Sequence, residues 1–330
     1  MVGLSHVALR LLVRDYMPVG KQTLWPTEML NSRRLPHEKV GETPETLRHP
    51  DEDFLVPQIL GNEPKPISES LQKLEAWGAT GVDINMGCPV EKALRHNYGV
   101  ALMGDASYAA EVVRIATSAT QLPVSVKLRA AGTNGDFAYL KDFVQGLRAA
   151  GASWVCLHPR TAAQKRRGVA DWTQIRALRD DVDFPIIGNG DIQTVEDVHQ
   201  MRLETGCDLV MSGRGLAARP WMVWQLAEDL GYEVPTALSA RQAPRTPLEE
   251  GAEYGRCVLK MSELCQQYFG EDLGLRKFRF YVRTTAVWLH FGHALTALTT
   301  KVRNFSELNE ELKKFFAGPQ EMNARTELRQ

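Results

Sequence analysis

An apolar run passes directly into a polar loop at residues 81–89, which read GVDINMGCP. The run from Gly81 to Met86 has the length and composition of a short buried strand. Pro89 has no backbone N–H, so strand pairing stops there. Cys88 therefore lies where a strand ends and a loop begins, the position that carries the chemistry in barrels of alternating strands and helices. Its thiol is a candidate acid or nucleophile, although most unpaired cysteines are small buried apolar residues.

The composition is that of an ordinary globular protein, with 44% hydrophobic and 24% charged residues. The 330 residues allow one large domain and a smaller one, and the formal net charge of −1 means that any nucleic-acid binding must rest on a local basic patch. The five cysteines include no CxxC pair, which fits a reducing compartment and argues against a disulfide framework or a zinc site. We find no membrane-spanning run and no signal peptide, and we predict a cytoplasmic protein.

Short apolar runs alternate with amphipathic stretches from about residue 23 to residue 230. This alternation predicts an α/β fold in which helices surround a parallel sheet. The seven predicted strands are residues 23–29, 54–60, 81–86, 123–128, 154–158, 185–188 and 208–211. A (β/α)8 TIM barrel has eight strands, and the chain opens at Met1 directly before a predicted helix. We therefore predict a TIM barrel over residues 1–235 whose first strand is truncated.

The pattern becomes purely helical after a segment rich in Pro, Ser and Thr at residues 231–247. We predict a small all-helical domain at residues 246–318 and a disordered tail at residues 319–330. Within the helical domain, residues 274–305 contain six Lys and Arg residues, several aromatic residues and no acidic residue. Such a stretch is typical of a surface that binds a phosphate backbone. The alternative is that the aromatic residues form the core and the cations a solvated face.

Polar side chains also mark the later strands. Lys127 lies inside an apolar run, where a lysine is costly to bury unless it meets an anion or a polar cofactor. His158 ends the next strand, and the loop at residues 159–168 carries four cations and no acid. The last two strands end in glycine-rich turns at residues 188–191 and 213–215, which can bind phosphate through backbone N–H groups. No Walker motif and no GxGxxG occurs, which argues against a nucleotide triphosphate or a Rossmann cofactor.

At these positions the sequence resembles the tRNA-dihydrouridine synthase family. The matching motifs, in order, are VPQILG (56–61), DINMGCP (83–89), YG (98–99), VKLR (126–129), HPRT (158–161), ADW (170–172), NGD (189–191) and SGRG (212–215). The resemblance implies an FMN-containing TIM barrel followed by a helical domain that binds tRNA. It also implies that NADPH reduces the FMN.

The resemblance assigns roles to individual positions. The isoalloxazine ring would be contacted by Gln58, Lys127 and His158. The ribityl chain and phosphate would be held by Asn189, Gly190, Asp191, Gly213 and Arg214. Asn85 would bind the target uracil, and Cys88 would be the general acid. The predicted cations that contact the substrate are Arg95, Arg160, Arg166, Arg276, Lys277 and Arg279.

The chemistry implied by the resemblance is reduction of a uridine in the D-loop of tRNA to 5,6-dihydrouridine. The uridine leaves the base stack to enter the barrel. Hydride from reduced FMN goes to C6 of the uracil, and a proton from Cys88 goes to C5. We further expect a monomer that binds neither a metal nor a membrane.

Several positions depart from the family pattern. Family members begin with a strand ending Ala-Pro-Met, of which only the end is matched at Met1, so we expect weak FMN retention by this chain. His96 and Asn97 stand where the family has two glycines, and Arg166 replaces a tyrosine. Two alternatives are an FMN barrel oxidoreductase acting on a small pyrimidine-like molecule and a non-catalytic tRNA-binding protein that retains the fold. The basic helical region argues against the first, and Cys88 with Lys127 argues against the second.

Overall fold

The computed structural model describes residues 1–131 and 136–327. These residues form two compact units. We call the first the strand unit; it comprises Leu24–Asp191 and Glu196–Met211. We call the second the helical unit; it comprises Met1–Thr23, Ile192–Val195 and Ser212–Glu327.

The strand unit contains one sheet of seven parallel strands in sequential order. The strands are β1 (Trp25–Asn31), β2 (Leu55–Leu60), β3 (Val82–Met86), β4 (Val124–Arg129), β5 (Trp154–His158), β6 (Ile186–Asn189) and β7 (Leu209–Met211). Sequential parallel strands joined by helices have the topology of a TIM barrel. The seven predicted strands are therefore confirmed, with shifts of a few residues at their ends.

The helices, in chain order, are α1 (Val7–Arg14), α2 (Pro64–Trp77), α3 (Glu91–Leu94), α4 (Ala106–Ala119), α5 (Phe137–Ala149), α6 (Trp172–Asp181), α7 (Val195–Thr205), α8 (Arg214–Ala218), α9 (Met222–Asp229), α10 (Pro247–Thr285), α11 (Gly292–Lys301) and α12 (Phe305–Phe315). Short 3-10 helices occupy Leu35–His37, Gly99–Gly104 and Ala286–Trp288. The ends of the longer helices follow from capping residues. For example, Asp105 accepts a hydrogen bond from the Tyr108 N–H at the start of α4, and Gly78 ends α2 in the left-handed conformation.

The strand order and register place polar side chains of neighbouring strands side by side. All five residues of β3 are buried. Gln58 of β2 pairs with Asp83 of β3, and Asp83 pairs with Ser125 of β4. Because side chains alternate between the two faces of a strand, Asn85 points to the same face as Asp83. This face of the sheet therefore carries several buried hydrogen-bonding groups side by side.

The helical unit is organised around α10, which is interrupted at Gly270, where the backbone has φ 68°. This interruption divides α10 into two parts, residues 247–269 and 271–285. Helices α1, α8, α11 and α12 pack against α10. As a result, the compact units differ from the predicted boundary near residue 235, because α1 and the chain from Ser212 onward group with the helical unit.

The predicted disorder of residues 319–330 is wrong for residues 319–327. Met322 is 1% exposed and forms an antiparallel bridge with Leu289. The Asn323 N–H donates to the Trp288 carbonyl at 2.7 Å. This segment is polar in composition, but backbone pairing and one buried side chain attach it to the helical unit. Residues 328–330 lie outside the described part of the chain.

Candidate active site

The Asn85 side chain holds the backbone of the cysteine loop. Its Oδ1 atom accepts hydrogen bonds from the N–H groups of Gly87, at 3.2 Å, and Cys88, at 2.9 Å. Asn85 is 6% exposed and Cys88 is 8% exposed. An asparagine that binds the backbone two and three residues further on forms a tight local turn. The turn orients Cys88 at the carboxyl end of β3, as the sequence predicts.

Gly99 allows the next segment to lie directly on this loop. Its backbone has φ 59°, and a Cβ atom there would be 2.5 Å from the Cys88 carbonyl oxygen and 3.0 Å from the Cys88 Cβ. The same carbonyl accepts a hydrogen bond from the Val100 N–H at 3.1 Å. Tyr98 and Ala93 pack with Cys88 in a small apolar cluster. The position of the thiol therefore depends on a glycine eleven residues downstream in the YG motif.

The amide of Asn85 also begins a chain of hydrogen bonds that runs across β2, β3 and β4. Asn85 Nδ2 donates to Gln58 Oε1 at 2.9 Å, and Gln58 Nε2 donates to Asp83 Oδ2 at 2.6 Å. The second oxygen, Asp83 Oδ1, accepts from Ser125 Oγ at 2.7 Å. Burial raises the pKa of the Asp83 carboxyl, while the hydrogen bonds from Gln58 and Ser125 act in the opposite direction. The predicted cofactor residue Gln58 and the predicted substrate residue Asn85 are thus in direct contact.

Lys127 donates to a neutral side chain on β6, whereas its position in an apolar strand predicts an anion or a polar cofactor as its partner. Its Nζ donates to Asn189 Oδ1 at 3.1 Å, and Asn189 Nδ2 donates to the Met211 carbonyl at 2.7 Å. Cys156 pairs with Lys127 in the strand register. Burial raises the pKa of the Cys156 thiol to about 12, so this cysteine stays protonated and acts as a small buried residue.

A second cluster joins the ends of β5 and β6. Arg160 donates to Gly168 O at 2.6 Å and forms an ion pair with Asp191 at 2.7 Å. Its Nη1 lies 3.2 Å from His158 Nε2. Because a guanidinium only donates, Nε2 accepts here and the ring proton of His158 is on Nδ1. The cluster thus fixes the tautomer of a predicted cofactor residue.

Gly190 makes this turn possible. Its φ is 120°, and a Cβ atom there would be 2.8 Å from the Ala170 Cβ and 3.0 Å from His158 Cδ2. Both the backbone conformation and the space exclude a side chain. The glycine-rich turn predicted after β6 is therefore present, and it brings the backbone close to the His158 ring.

The variant Gly190→Ala is expected to lower the free energy of unfolding by about 1–3 kcal/mol, because it combines a strained backbone with a steric clash. Chemical denaturation measures this change. Gly146→Ala is the control, since Gly146 lies in α5 and a Cβ atom added there would meet nothing within 4 Å, and alanine is the better helix former. Equal stability of Gly190→Ala and the wild type would contradict the role of this turn.

Arg129 connects the cysteine loop to the basic loop at residues 159–168. Its Nε donates to Gly87 O at 2.7 Å, and its Nη1 donates to Lys165 O at 2.8 Å. Burial lowers the pKa of Arg129, and the nearby charge of Arg160 acts in the same direction. The sequence places Arg129 at the end of a strand. It does not predict these hydrogen bonds, because the carbonyl groups that Arg129 binds lie on two other loops.

The structure brings eight of the predicted site residues together in the strand unit, at or near the carboxyl ends of its strands. They are Gln58, Asn85, Cys88, Lys127, His158, Asn189, Gly190 and Asp191. Gly213 and Arg214 belong to the helical unit. There, Gly215 is required for internal packing, because its Cβ would lie 2.2 Å from the Ile192 carbonyl oxygen. Internal packing therefore explains why position 215 is a glycine, without the approach of an anion that the sequence led us to expect.

The predicted substrate cations have different environments. Arg95 and Arg166 are exposed, and Arg95 forms an i,i+4 ion pair with Glu91. Arg160 is 5% exposed and is bound to the groups described above. The expectation that Arg276, Lys277 and Arg279 form one exposed surface is wrong, because Lys277, one position after Arg276, points to a different face of the helix and is buried.

The contacts of these helical residues show the difference. Lys277 is buried, and its Nζ lies 5.0 Å from the centre of the Phe269 ring. Arg279 donates to the carbonyls of Thr299, at 2.9 Å, and Val302, at 2.7 Å. Arg276 is exposed. Only Arg276 of these three is therefore placed to meet a partner on this surface.

Two further features concern metal ligands and membrane spans. Across residues 1–131 and 136–327, no group of three or more His, Cys, Asp or Glu residues is arranged to hold a metal ion. In the same part of the chain, no helix has the length and hydropathy needed to cross a membrane.

Comparison with known proteins identifies the family. The model of the family described as Dihydrouridine synthase (Dus) matches residues 1–317. The chain belongs to the dihydrouridine synthase family. The predicted family, the TIM-barrel fold and the assignment as a flavin-dependent oxidoreductase are thereby confirmed.

Individual relatives in the dihydrouridine synthase family extend over most of the chain. A protein of Mycobacterium tuberculosis named "Probable tRNA-dihydrouridine synthase" is 32% identical over 320 residues, which cover 94% of this chain and 79% of the relative. A protein of the same name from Mycobacterium leprae is 34% identical over 340 residues, covering 94% and 85%. The "Probable tRNA-dihydrouridine synthase 1" of Synechocystis is 35% identical over 225 residues, covering 68% and 62%.

Proposed function

We propose that this enzyme reduces the C5–C6 double bond of a uridine in the D-loop of tRNA to give 5,6-dihydrouridine. The observation that carries the proposal is the cysteine loop, in which Asn85 binds the backbone of Cys88 and is itself bound to Gln58. The names of the relatives support tRNA as the substrate.

The polar face of the strand unit fits FMN. Gln58, Lys127 and His158 offer hydrogen-bonding groups suited to a flavin ring, and the turn at Gly190 leaves a backbone without a side chain beside His158. We propose that these residues hold the cofactor together with Asn189, Gly190 and Asp191. When bound, FMN supplies to C6 of the uracil a hydride that originates from NADPH.

Cys88 completes the reduction. Its S–H bond breaks, the proton goes to C5 of the uracil, and the resulting thiolate regains a proton from solvent. The uracil thus gains a hydride and a proton, which balances the reduction. The Asn85 amide uses one N–H on Gln58, so its other N–H is available to a uracil carbonyl. Asn85 would in this way hold the thiol and the substrate in one geometry.

The tRNA surface that we propose on the helical unit is an exposed stripe on the second part of α10 and on the 3-10 helix Ala286–Trp288 that follows it. It consists of Arg276, Phe280, Arg283 and Val287, whose spacing of three or four residues places them on one face. Phe280 is 38% exposed. Alternating cations and apolar side chains suit contacts with phosphates and bases. The stripe replaces the predicted set of Arg276, Lys277 and Arg279.

The double variant Arg276→Glu/Arg283→Glu is expected to weaken tRNA binding at least tenfold and to make binding less dependent on salt, because phosphate contacts release counterions. Filter binding across a salt series measures both effects. Arg114→Glu is the matched control, since Arg114 is an exposed arginine on α4 paired with Glu111. An unchanged salt slope in the double variant would remove this stripe from the tRNA interface.

Mapping of dihydrouridine in tRNA from cells with and without this protein tests the proposed function. We expect at least one D-loop position to lose dihydrouridine when the protein is absent and to regain it with the wild-type chain. An unchanged map, together with flavin-dependent reduction of a free pyrimidine, would favour the small-molecule alternative. The cytoplasmic location and the monomeric state stay predictions.

A further inference from the structure

Asp83 is a buried carboxyl group to which no role in the reaction has been assigned. It is the second residue of β3, two residues before Asn85 and on the same face. Both of its oxygens accept hydrogen bonds, from Gln58 and from Ser125. Lys127 is the nearby cation that acts on its charge. The carboxyl is thus held by neutral donors, without a direct ion pair among the described residues.

In the chain of hydrogen bonds between Cys88 and Asp83, each group donates to the next one toward Asp83. The N–H groups of Cys88 and Gly87 require an acceptor, so Asn85 must present Oδ1 to them and Nδ2 to Gln58. Gln58 must then present Oε1 to Asn85 and Nε2 to its other neighbour. That neighbour must be an acceptor, and a carboxylate satisfies this requirement in either orientation. An apolar side chain at position 83 would leave the Gln58 amide free to turn over.

A turned Gln58 amide would place its N–H groups against those of Asn85. Two facing donors repel, so Asn85 would have to turn as well and would then point Nδ2 at the backbone N–H of Cys88. A buried donor without an acceptor costs about 1–3 kcal/mol. The orientation of both amides, and with it the turn that carries the thiol, therefore depends on an acceptor at position 83.

We propose that Asp83 is a positioning residue that orients the amides of Gln58 and Asn85 and so fixes the backbone at Cys88. The proposal rests on the proposed function only in giving Cys88 its role as proton donor. The chain of hydrogen bonds itself consists only of groups of the protein.

Three variants distinguish the effect of the hydrogen-bond acceptor at position 83 from the effects of the charge and the volume of this side chain. Asp83→Leu has a similar size and no acceptor. Asp83→Asn keeps an oxygen for Gln58 and can donate to Ser125 Oγ, whose hydroxyl can turn toward the Val82 carbonyl at 3.4 Å. Ser125→Ala is the matched control, because it removes the other partner of Asp83 and leaves the chain to Cys88 intact.

The first measurement is the rate at which iodoacetamide alkylates Cys88 in the purified full-length chain, followed by peptide mass spectrometry. We expect Asp83→Leu to change this rate at least fivefold, while Asp83→Asn and Ser125→Ala stay within twofold of the wild type. The second is turnover on tRNA, where Asp83→Leu should lower kcat at least tenfold with KM within threefold. Rescue by Asp83→Asn distinguishes orientation from a general loss of structure.

If Asp83→Leu does not fold, Gln58→Met breaks the same chain at the next link and is expected to change Cys88 alkylation to a similar extent. The proposal is overturned if folded Asp83→Leu or Gln58→Met alkylates like the wild type, or if Asp83→Asn behaves like Asp83→Leu. A wild-type protein that forms no dihydrouridine would refute the proposed function, whereas the alkylation series would still test the role of Asp83.

Discussion

Replacement of Cys88 by alanine is expected to lower the rate of dihydrouridine formation by about 10²–10⁴-fold, the range typical for loss of a positioned acid. The thiol is the group that gives C5 its proton, and alanine has none to give. Binding of tRNA and of FMN should change little, because the Asn85 amide holds the loop through the backbone of Cys88 and not through its sulfur. Single-turnover reduction of tRNA, measured beside tRNA affinity and flavin content, separates the two effects.

Cys156→Ala is the control for this experiment. Cys156 lies on β5 in register with Lys127, and burial raises the pKa of its thiol to about 12. It should therefore be unable to replace Cys88, and its loss should leave the rate within a few fold. A Cys88→Ala protein as fast as the wild type would show that the proton comes from another group.

The sequence predicted the features that depend on local pattern. Strand alternation located all seven strands, and the break at Pro89 located Cys88 at the end of β3. The cost of burying a lysine predicted an anion or a polar cofactor beside Lys127, and the partner in the structure is the neutral side chain of Asn189. These conclusions need only the period of a strand, the backbone chemistry of proline and the energetics of charge burial.

The features that the sequence did not reveal depend on register between distant segments. Asp83 was part of a strand motif, and nothing local indicated that Gln58, 25 residues earlier, would donate to it. Lys277 and Arg279 belong to a basic run in the sequence. Their positions around the helix α10 place Lys277 in the core and direct Arg279 toward α11. Charge composition thus indicated α10 as a candidate tRNA surface, while helical phase determines which of its cations are exposed.

The variant Gly99→Ala is expected to lower kcat for tRNA reduction by about 10²-fold, although residue 99 is far from Cys88 in sequence. Its added Cβ would lie 2.5 Å from the Cys88 carbonyl oxygen, and φ 59° already disfavours a side chain. The segment must move away from the cysteine loop or push the loop with it. A displacement of about 1 Å is enough for an effect of this size on a reaction that requires close alignment of a proton donor.

Gly104→Ala is the matched control, because both glycines belong to the 3-10 helix Gly99–Gly104 and a Cβ at Gly104 meets nothing within 4 Å. Its kcat should stay within twofold of the wild type. Thermal unfolding of both variants separates misplacement from unfolding, and the Cys88 alkylation rate reports the loop directly. If Gly99→Ala keeps both its kcat and its alkylation rate, the close approach of Gly99 to Cys88 does not set the position of the proton donor. If both change while the fold is retained, the YG motif is part of the machinery that aligns the thiol with its substrate.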